Sequence, residues 1–245
     1  MCPQATGPKN RFKRAAFAFA ASLVVVCLVG LYLILRTPGW YQPPVVPPAD
    51  RQKVRDSLVG AEQAFTESLR ADQPFVYHIY QDNVNCWIAM RREIYPLIDE
   101  LVPPILNDPF VLFETGSITV GGRYLVAGAD MVVSIEIEPT FEDNAIVLRA
   151  KAVRCGSFPI AKRLERLGLG RSGDVDKEDL WPGSPKMSGD LLSGFKIDAH
   201  AWWKNGGIAY QVKDITVKNG RLDLSIQPLG RRVDLNRNRH VSLDR

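Results

Sequence analysis

Hydrophobic and polar positions follow three different periods along the chain, and each period predicts a different kind of element. The first segment, residues 15–35, contains no charged residue. At about 1.5 Å per residue this run makes roughly 31 Å of helix, which matches a hydrocarbon layer of about 30 Å. We therefore predict a transmembrane helix over residues 15–35.

The residues on either side of this apolar run predict its orientation. Four bases precede it and one follows it at Arg36. Segments rich in Lys and Arg stay on the cytoplasmic side, so residues 1–14 are expected to be a basic cytoplasmic tail and the rest extracytoplasmic. A cleaved signal peptide is the competing interpretation, but its apolar stretch is normally only about 7–15 residues long. We favour an uncleaved anchor.

Residues 36–50 contain five prolines, which favour an extended polyproline II spacer. This composition predicts a stalk that holds the following domain away from the membrane. Trp40 and Tyr41 at its start suit the aromatic belt of a membrane interface.

A helical period begins after the stalk. Asp50 is a plausible N-cap for a helix over 51–71, in which the apolar side chains recur at helical spacing along one stripe. A short strand is expected over 75–80. Asp82 is then a plausible N-cap for a second helix, which Pro96 ends or restarts, and an apolar piece over 97–105 follows.

Beyond Phe110 the period changes to two, which is typical of strands. Apolar residues alternate over 131–137 and again over 146–152, and a connection at 139–144 separates the two runs. If Glu138 faces Ala145, Ile137 lies opposite Ile146 and one side of the hairpin is wholly apolar. The pattern predicts a sheet with one hydrated face, on which Glu136 lies diagonal to Arg149.

Two Asn-Gly pairs mark tight hairpins in the last third of the chain. The first, at Asn205, pairs Trp203 with Ile208, and the second, at Asn219, pairs Val217 with Leu222. The apolar positions change parity between the two hairpins, so an extra residue is required near Lys213-Asp214. We predict a β-bulge there and a curved sheet.

The remaining segments complete the domain organisation. We expect a short amphipathic helix over 158–167, a polar loop over roughly 168–190, and a mobile basic tail over 231–245. Residues 51–230 then form one extracytoplasmic domain. The predicted fold class is α+β: an N-terminal transmembrane helix, then a curved antiparallel sheet wrapped around amphipathic helices.

The charge distribution excludes a nucleic-acid-binding role. The chain has 31 bases and 27 acids, and five bases but no acid lie in residues 1–36. The rest of the chain is therefore nearly neutral, whereas nucleic-acid binding requires a basic domain. A hydrophobic content of 46% also excludes an intrinsically disordered chain.

Motifs that would indicate catalysis or metal binding are weak. The glycine pattern over 168–173 follows a predicted helix instead of a strand, unlike a dinucleotide-binding loop. The acidic run that begins at Asp174 lacks the glycine and the glutamate of a calcium loop. The histidines, at 78, 200 and 240, have no partner at metal-ligand spacing, and His78 and His200 are read as strand residues. We predict no enzymatic activity and no cofactor.

Cys86 and Cys155 are the two cysteines of the predicted outer domain. An oxidising compartment would join them if folding brought them together, and the bridge would contribute roughly 4 kcal/mol on the chain-entropy model. The alternative is a pair of free buried thiols, because the sequence alone does not place their Cα atoms within about 7 Å.

The order of these elements resembles a family of bacterial envelope proteins. An anchor and an amphipathic helix precede a strand leading to DNVNCWIA, an apolar hairpin, the segment CGSFPIAKRLERL, and strands ending VKDITVKNGRLDLSIQP. Together they resemble the YpmS-like proteins, which in turn resemble the TULIP (tubular lipid-binding) superfamily. The resemblance covers roughly 51–230. It implies a strongly curved antiparallel sheet around a helix, enclosing an apolar groove for acyl chains.

Our leading hypothesis is a membrane-anchored domain that binds a lipid or another elongated apolar ligand without catalysis. Burial of an acyl chain is favourable by about 0.8 kcal/mol per CH₂, so such a site needs few polar residues. Anionic head groups would meet Lys162, Arg163 and Arg166. The expected apolar lining is Phe65, Leu69, Trp87, Leu101, Ile135, Leu148 and Phe158.

The same residues support other interpretations. The apolar side chains could simply fill a core, with the bases in solvent. The domain could instead be a structural or assembly factor of the cell envelope that binds a protein partner, or a hydrolase that acts on envelope polymers through carboxylates.

Overall fold

The structure is a computed structural model, and it describes residues 8–94, 106–126, 128–160, 187–190 and 194–231. Several predictions concern segments outside these residues. They are the apolar piece over 97–105, the helix beyond Ile160, most of the polar loop with both of its motifs, and the C-terminal tail beyond Arg231.

The described α-helices all lie before residue 95, and every described strand except β1 follows them. The helices are α1 (Pro8–Leu35), α2 (Arg51–Arg70), α3 (Gln81–Ala89) and α4 (Arg91–Ile94). The strands are β1 (Phe75–Tyr80), β2 (Leu106–Glu114), β3 (Ser117–Val126), β4 (Ala129–Glu142), β5 (Ala145–Cys155), β6 (Phe158–Pro159), β7 (Met187–Asp190), β8 (Gly194–Asp198), β9 (His200–Trp203), β10 (Ile208–Lys218) and β11 (Arg221–Arg231). Strand β1 and helix α2 agree with the sequence, as do the strand positions of His78 and His200.

The strands form two antiparallel sheets. Sheet A has the order β1-β11-β10-β9, and sheet B has the order β2-β3-β4-β5-β8-β7, with β6 paired to β5. The predicted α+β class with curved antiparallel sheet is confirmed at this level. The expectation that a sheet wraps around the helices is not confirmed, because α2 packs against β10 and β11 on one face of sheet A.

The contact between α2 and sheet A is a filled hydrophobic core. Phe65 and Leu69 of α2 are buried with Ile208 and Ile226. Four aromatic rings surround Phe65 with centroids 4.8 to 5.9 Å away, those of Phe75, Tyr77, Trp203 and Tyr210. Edge-to-face packing at this distance fills the space between helix and sheet.

Strands β4 and β5 pair in a register four residues away from the predicted one. The strands continue through Pro139 to Glu142, which pairs with Ala145. The connection is therefore the two residues Asp143 and Asn144, both with positive φ (51° and 59°), as a type I′ turn requires. The sequence reading placed Pro139 in a loop, but the backbone conformation of the Asp-Asn pair determines the turn.

The two later hairpins follow the predicted register. Trp203 pairs with Ile208, and Val217 pairs with Leu222. The register of β10 against β11 shifts between Val212 and Asp214, so Lys213 is the extra residue of the predicted bulge. A second shift, between Ala209 and Tyr210, was not predicted.

Helix α3 fastens the edge of sheet B to sheet A. Asn85 is 3% exposed; its Nδ2 donates to the Val111 carbonyl at 2.7 Å, and its Oδ1 accepts from the Val111 N–H at 2.8 Å. Gln81 accepts from the Phe113 N–H at 2.7 Å. The side-chain amides of Asn85 and Gln81 therefore hydrogen-bond backbone groups of edge strand β2, as a neighbouring strand would. Helix α3 begins at Gln81 and Asp82 does not cap it, since Tyr80 is the N-cap residue.

The segment after α1, predicted as a stalk over 36–50, contacts sheet B through its aromatic residues. Tyr41 is 4% exposed and packs with Trp40, Phe110 and Val132. Its hydroxyl donates to the Asp108 carbonyl at 2.6 Å, and burial raises its pKa to about 12. The two aromatic residues therefore anchor the chain to the domain, whereas the sequence assigned them to a membrane interface.

The C-terminal end of α1 also contacts sheet B, at the turn between β5 and β6. The Ser157 N–H donates to the Leu33 carbonyl at 2.9 Å. Gly156 has φ +57°, and a Cβ there would lie 2.4 Å from the carbonyl oxygens of Leu33 and Ile34. Carbonyls at a helix end have no partner within the helix, so this turn supplies one.

Candidate functional site: an apolar face of sheet B

One face of sheet B is apolar, and the opposite face, called the polar face below, carries ion pairs beside the apolar contact of Tyr41 with Phe110 and Val132. Directly opposed residues of antiparallel strands share a face, so the pairing assigns each side chain. We call the following cross-strand rows the apolar face: Ile118–Ile137–Ala150, Val120–Ile135–Val153, Val133–Cys155–Phe158, Leu148–Phe195 and Phe141–Ile146–Ile197. The prediction of a wholly apolar side is confirmed, although with a different register.

Most of the apolar face is partly exposed. Val153 and Cys155 are buried, Val120 is 36% exposed, and the other members are intermediate. The face follows β4 from Val133 to Phe141, with Met131 preceding it on the same side. At about 3.3 Å per residue, Met131 and Phe141 lie about 33 Å apart. This is an elongated apolar surface.

The two ends of the apolar face have different neighbours. At one end Cys155 adjoins Gly156, which contacts the C-terminal carbonyls of α1. At the other end, the turn between β4 and β5 contacts sheet A, where the Ala199 N–H donates to the Asn144 carbonyl at 3.0 Å. The apolar face therefore runs from the end of α1 towards sheet A.

The opposite face of sheet B carries ion pairs. Glu136 pairs with Arg154 at 3.0 Å and with Lys151 at 3.5 Å, and Glu142 pairs with Arg149 at 2.7 Å. Arg149 lies opposite Glu138 and is thus diagonal to Glu136, as predicted, but its ion-pair partner is Glu142. Hydrogen bonds from Arg149 and Thr140 lower the pKa of Glu142 to about 2.

The structure brings together three of the predicted lining residues. Ile135, Leu148 and Phe158 lie on the apolar face. Phe65 and Leu69, also predicted to line the site, are 6% and 1% exposed and lie in the core under α2, away from the apolar face.

The other predicted site residues do not join this face. Trp87 lies between α3 and α2, and its Nε1 donates to the Ser57 hydroxyl at 3.2 Å. Leu101 and the bases Lys162, Arg163 and Arg166 lie outside the described residues.

Sequence reasoning missed several residues that complete the apolar face. Val120, Phe141 and Phe195 lie on different strands, and only the pairing of those strands puts them together. The alternation of apolar residues along β3 was a usable signal. The position of Phe141 was hidden because the sequence reading placed it in a loop.

A separate open cleft of about 550 Å³ lies between α2 and the turn after β9. Its lining is mostly polar and includes Glu62, Gln63, Thr66, Arg70 and Asn205. This cleft does not have the chemistry of the predicted acyl-chain groove.

A charged cluster occupies the outer face of sheet A. The Asp223 carboxylate lies 2.7 Å from His78 Nδ1, 2.8 Å from Lys218 Nζ and 2.8 Å from Arg221 Nε. Burial raises the pKa of Asp223, but hydrogen bonds from these three side chains outweigh that effect and lower it to about 2. The ionised carboxylate links three strands electrostatically.

The cysteines of the described domain are free thiols. Cys155 is buried, and its Sγ lies 3.3 Å from Met131 Sδ. Burial raises the pKa of Cys155 and also that of Cys86, where the Asp82 carboxylate contributes as well. Of the two alternatives left open by the sequence, the structure has the unpaired one. Within the described ranges, no group of three His, Cys, Asp or Glu residues could hold a metal ion.

In the described part of the chain, α1 is the helix that could cross a membrane, over Phe17–Leu35, by its length and composition. A signal sequence has the same properties. Comparison of the chain with protein-family models, with curated proteins and with solved structures gives no match.

Proposed function

We propose that this chain is a single-pass membrane protein whose extracytoplasmic domain binds an acyl chain of a membrane lipid, or another elongated apolar ligand, without catalysis. The ligand lies along the apolar face of sheet B. The observation that carries the proposal is the position of this face: it is partly exposed, about 26 Å long by strand spacing from Val133 to Phe141, and begins beside the end of α1.

The exposure of this face supports a ligand. Large contiguous apolar patches are rare on soluble proteins and mark sites of interaction. Each CH₂ group that leaves water for such a surface contributes about 0.8 kcal/mol. An acyl chain laid along β4 would cover Val120, Ile135 and Ile137, and no hydrogen bond would be needed.

The packing of the N-terminal segment supports a retained anchor. Four bases precede the apolar part of α1, and this charge bias favours an N-terminus in the cytoplasm. The Leu33 carbonyl accepts from Ser157, and Tyr41 is buried on sheet B. Removal of α1 as a signal peptide would leave the Ser157 N–H without this partner.

The test is site-specific photo-crosslinking in cells that express the full chain and are fed an alkyne-labelled fatty acid. A photoreactive phenylalanine analogue replaces Val120, which is 36% exposed on the apolar face. The matched control places it at Glu138, an exposed residue on the polar face of the adjacent strand.

The proposal predicts a fatty-acid adduct of the chain at position 120 that exceeds the adduct at position 138 several-fold. Equal lipid adducts at both positions, or adducts with proteins only at position 120, contradict it. Adducts with one protein would favour the assembly-factor alternative instead.

A further inference from the structure

The turn between β5 and β6 lies beyond the C-terminal end of α1. Helix carbonyls point along the helix axis towards its C-terminus, and the Leu33 carbonyl accepts from the Ser157 N–H. The helix therefore extends away from this turn, on the outer side of the end of sheet B. This end of sheet B is therefore the end closest to the environment in which α1 lies.

The hairpin formed by β3 and β4 projects past the same end of sheet B. Strand β5 ends at Cys155, opposite Val133. Strands β3 and β4 remain paired further, through Leu125–Asp130 to Val126–Ala129. Four residues at about 3.3 Å each carry the hairpin about 13 Å beyond the last residue of β5.

The end of this hairpin has the composition of a membrane-contacting loop. Residues 125–129 read LVAGA and contain no charge. The Leu125 side chain is 60% exposed, an unfavourable position for a large aliphatic group in water. Asp130, which is exposed and directly opposite Leu125, lies at the same level of the hairpin, and a carboxylate there suits the polar head-group layer.

We propose that the tip of the β3–β4 hairpin enters the interfacial region of the same bilayer that α1 crosses. The occupant of this apolar tip is thus the outer leaflet itself. The inference rests on the proposed function, since it requires that α1 spans a membrane. It adds the position of the domain: sheet B stands directly on the lipid surface, with Leu125 at the level of the ester groups and Asp130 beside it at the head groups.

This position gives the acyl chain a route to its site. Tyr124 and Met131 pair across the hairpin on the same side as the apolar face, so they connect the tip with Val133 and Ile135. A chain can pass from the leaflet along these side chains without crossing water, which avoids the cost of exposing each CH₂ group.

The experiment measures the depth of three positions in the full chain reconstituted into phosphatidylcholine vesicles. A genetically encoded environment-sensitive fluorophore replaces Leu125, Leu28 or Val76 in separate variants. Leu28 is in α1 and reports membrane insertion of the helix. Val76 is the matched control, because it is an aliphatic strand residue 50% exposed on sheet A, at the opposite end of sheet B from α1. Two phosphatidylcholines serve as quenchers: one carries its doxyl group close to the head group and reads positions 125 and 76, and the other carries it near the end of the acyl chain and reads position 28.

We expect the head-group doxyl lipid to quench position 125 several-fold more strongly than position 76, and the chain-end doxyl lipid to quench position 28. If position 28 is quenched but position 125 behaves like position 76, the hairpin is not in the bilayer and this inference is wrong, while the proposed anchor stands. If position 28 is not quenched, α1 does not span the membrane and the proposed function fails first.

A second variant tests the route. Leu125→Asp places a second carboxylate opposite Asp130, on the other side of the hairpin from Tyr124 and Met131. Leu125 is exposed, so no buried contact is lost and the like-charge pair costs the fold at most about 1 kcal/mol. The variant therefore removes the tip from the lipid without changing the side chains of the route. The fatty-acid adduct at position 120 should then fall several-fold, whereas Val76→Asp should leave it unchanged. An unchanged adduct in Leu125→Asp would overturn the proposed route.

Discussion

Asn85 shows how one residue can decide whether an edge strand is satisfied. Its side-chain amide makes two hydrogen bonds to the backbone of Val111, at 2.7 and 2.8 Å. Strand β2 is the edge of sheet B, where unpaired N–H and C=O groups would otherwise remain. In the sequence, Asn85 is one polar residue of an amphipathic helix, and nothing in its spacing distinguishes it from Asn83.

Replacement of Asn85 by Leu should therefore be costly. It leaves the donor and the acceptor of the partly buried Val111 backbone without the Asn85 amide, and we expect the free energy of unfolding to fall by about 3 kcal/mol. Thermal unfolding of the full chain in detergent measures the effect. Asn83→Leu, on the exposed side of α3, is the control and should be near neutral. Similar shifts for both variants would contradict the role of the amide.

Asp223 should make the stability of the domain depend on pH in acid. Its pKa is lowered to about 2 in the folded protein, against about 3.9 in an unfolded chain. A lowered pKa means that the folded state holds the proton less tightly, so this contribution is complete above about pH 4 and is lost as the pH falls towards 2.

Asp223→Asn should remove that part of the acid sensitivity, seen as a smaller change of unfolding temperature between pH 4 and about 2. Glu142→Gln is the comparison, because the pKa of Glu142 is also about 2 but its side chain is 44% exposed against 9% for Asp223. Solvent screens an exposed pair, so we expect a smaller effect. A larger effect of Glu142→Gln would show that the Asp223 cluster is not the main source of the acid sensitivity.

At the scale of elements, the pairing of strands decides which residues share a face. The bulge at Lys213 was predictable because the apolar parity changes between Val212 and Ile215, and a buried face permits one register only. The register of the β4–β5 hairpin was not predictable from the sequence. A six-residue connection and a two-residue connection both leave one side of the hairpin apolar. The conformation at Asp143 and Asn144 selects the tight turn.

The bulge predicts that β10 requires a residue at position 213 for the length of its backbone, and not for the lysine side chain. Deletion of Lys213 would move Ile215 and Val217 to the outer face of sheet A, since the side-chain period is two. We expect the deletion variant to fail to accumulate as folded protein. Lys213→Ala keeps the extra residue and should unfold within about 0.5 kcal/mol of the natural chain. A stable deletion variant would show that the parity of β10 does not matter.

At the scale of the whole molecule, the C-terminal end of α1 and the segment after it pack against sheet B. The link consists of Gly156 against the helix carbonyls and of Tyr41 in its pocket on sheet B. The proline-rich segment is therefore fixed to the domain at Tyr41, within its first six residues. A flexible stalk would let the apolar face turn in any direction, whereas this link orients it relative to α1.

Gly156→Ala should weaken the link. The added Cβ would lie 2.4 Å from two carbonyl oxygens at φ +57°, so the turn must move away from α1. Gly116→Ala is the control, because Gly116 has φ +79° and open space around it; it carries the left-handed strain of about 1–2 kcal/mol alone.

We expect Gly156→Ala to lower the unfolding temperature more than Gly116→Ala and to make residues 36–41 more sensitive to protease. Equal protease sensitivity in the two variants would mean that the helix and the domain are not coupled through this turn.

The sequence by itself determined the apolar helix, the stripe of α2, strand β1, the two Asn-Gly hairpins and the bulge. Each depends on the period of side chains close together in the chain or on the backbone preference of a turn. It also determined that one side of the β4–β5 hairpin is apolar, because any pairing of those alternating residues gives that result.

Only the tertiary structure decided where that apolar side is left open. Phe65 and Ile135 look alike as apolar residues in a pattern, yet one is enclosed by four aromatic rings and the other remains partly exposed. Burial depends on which element lies opposite a side chain, and for Tyr41, Gly156 and Asn85 the partner is distant in the chain. Local periodicity holds no information about such partners.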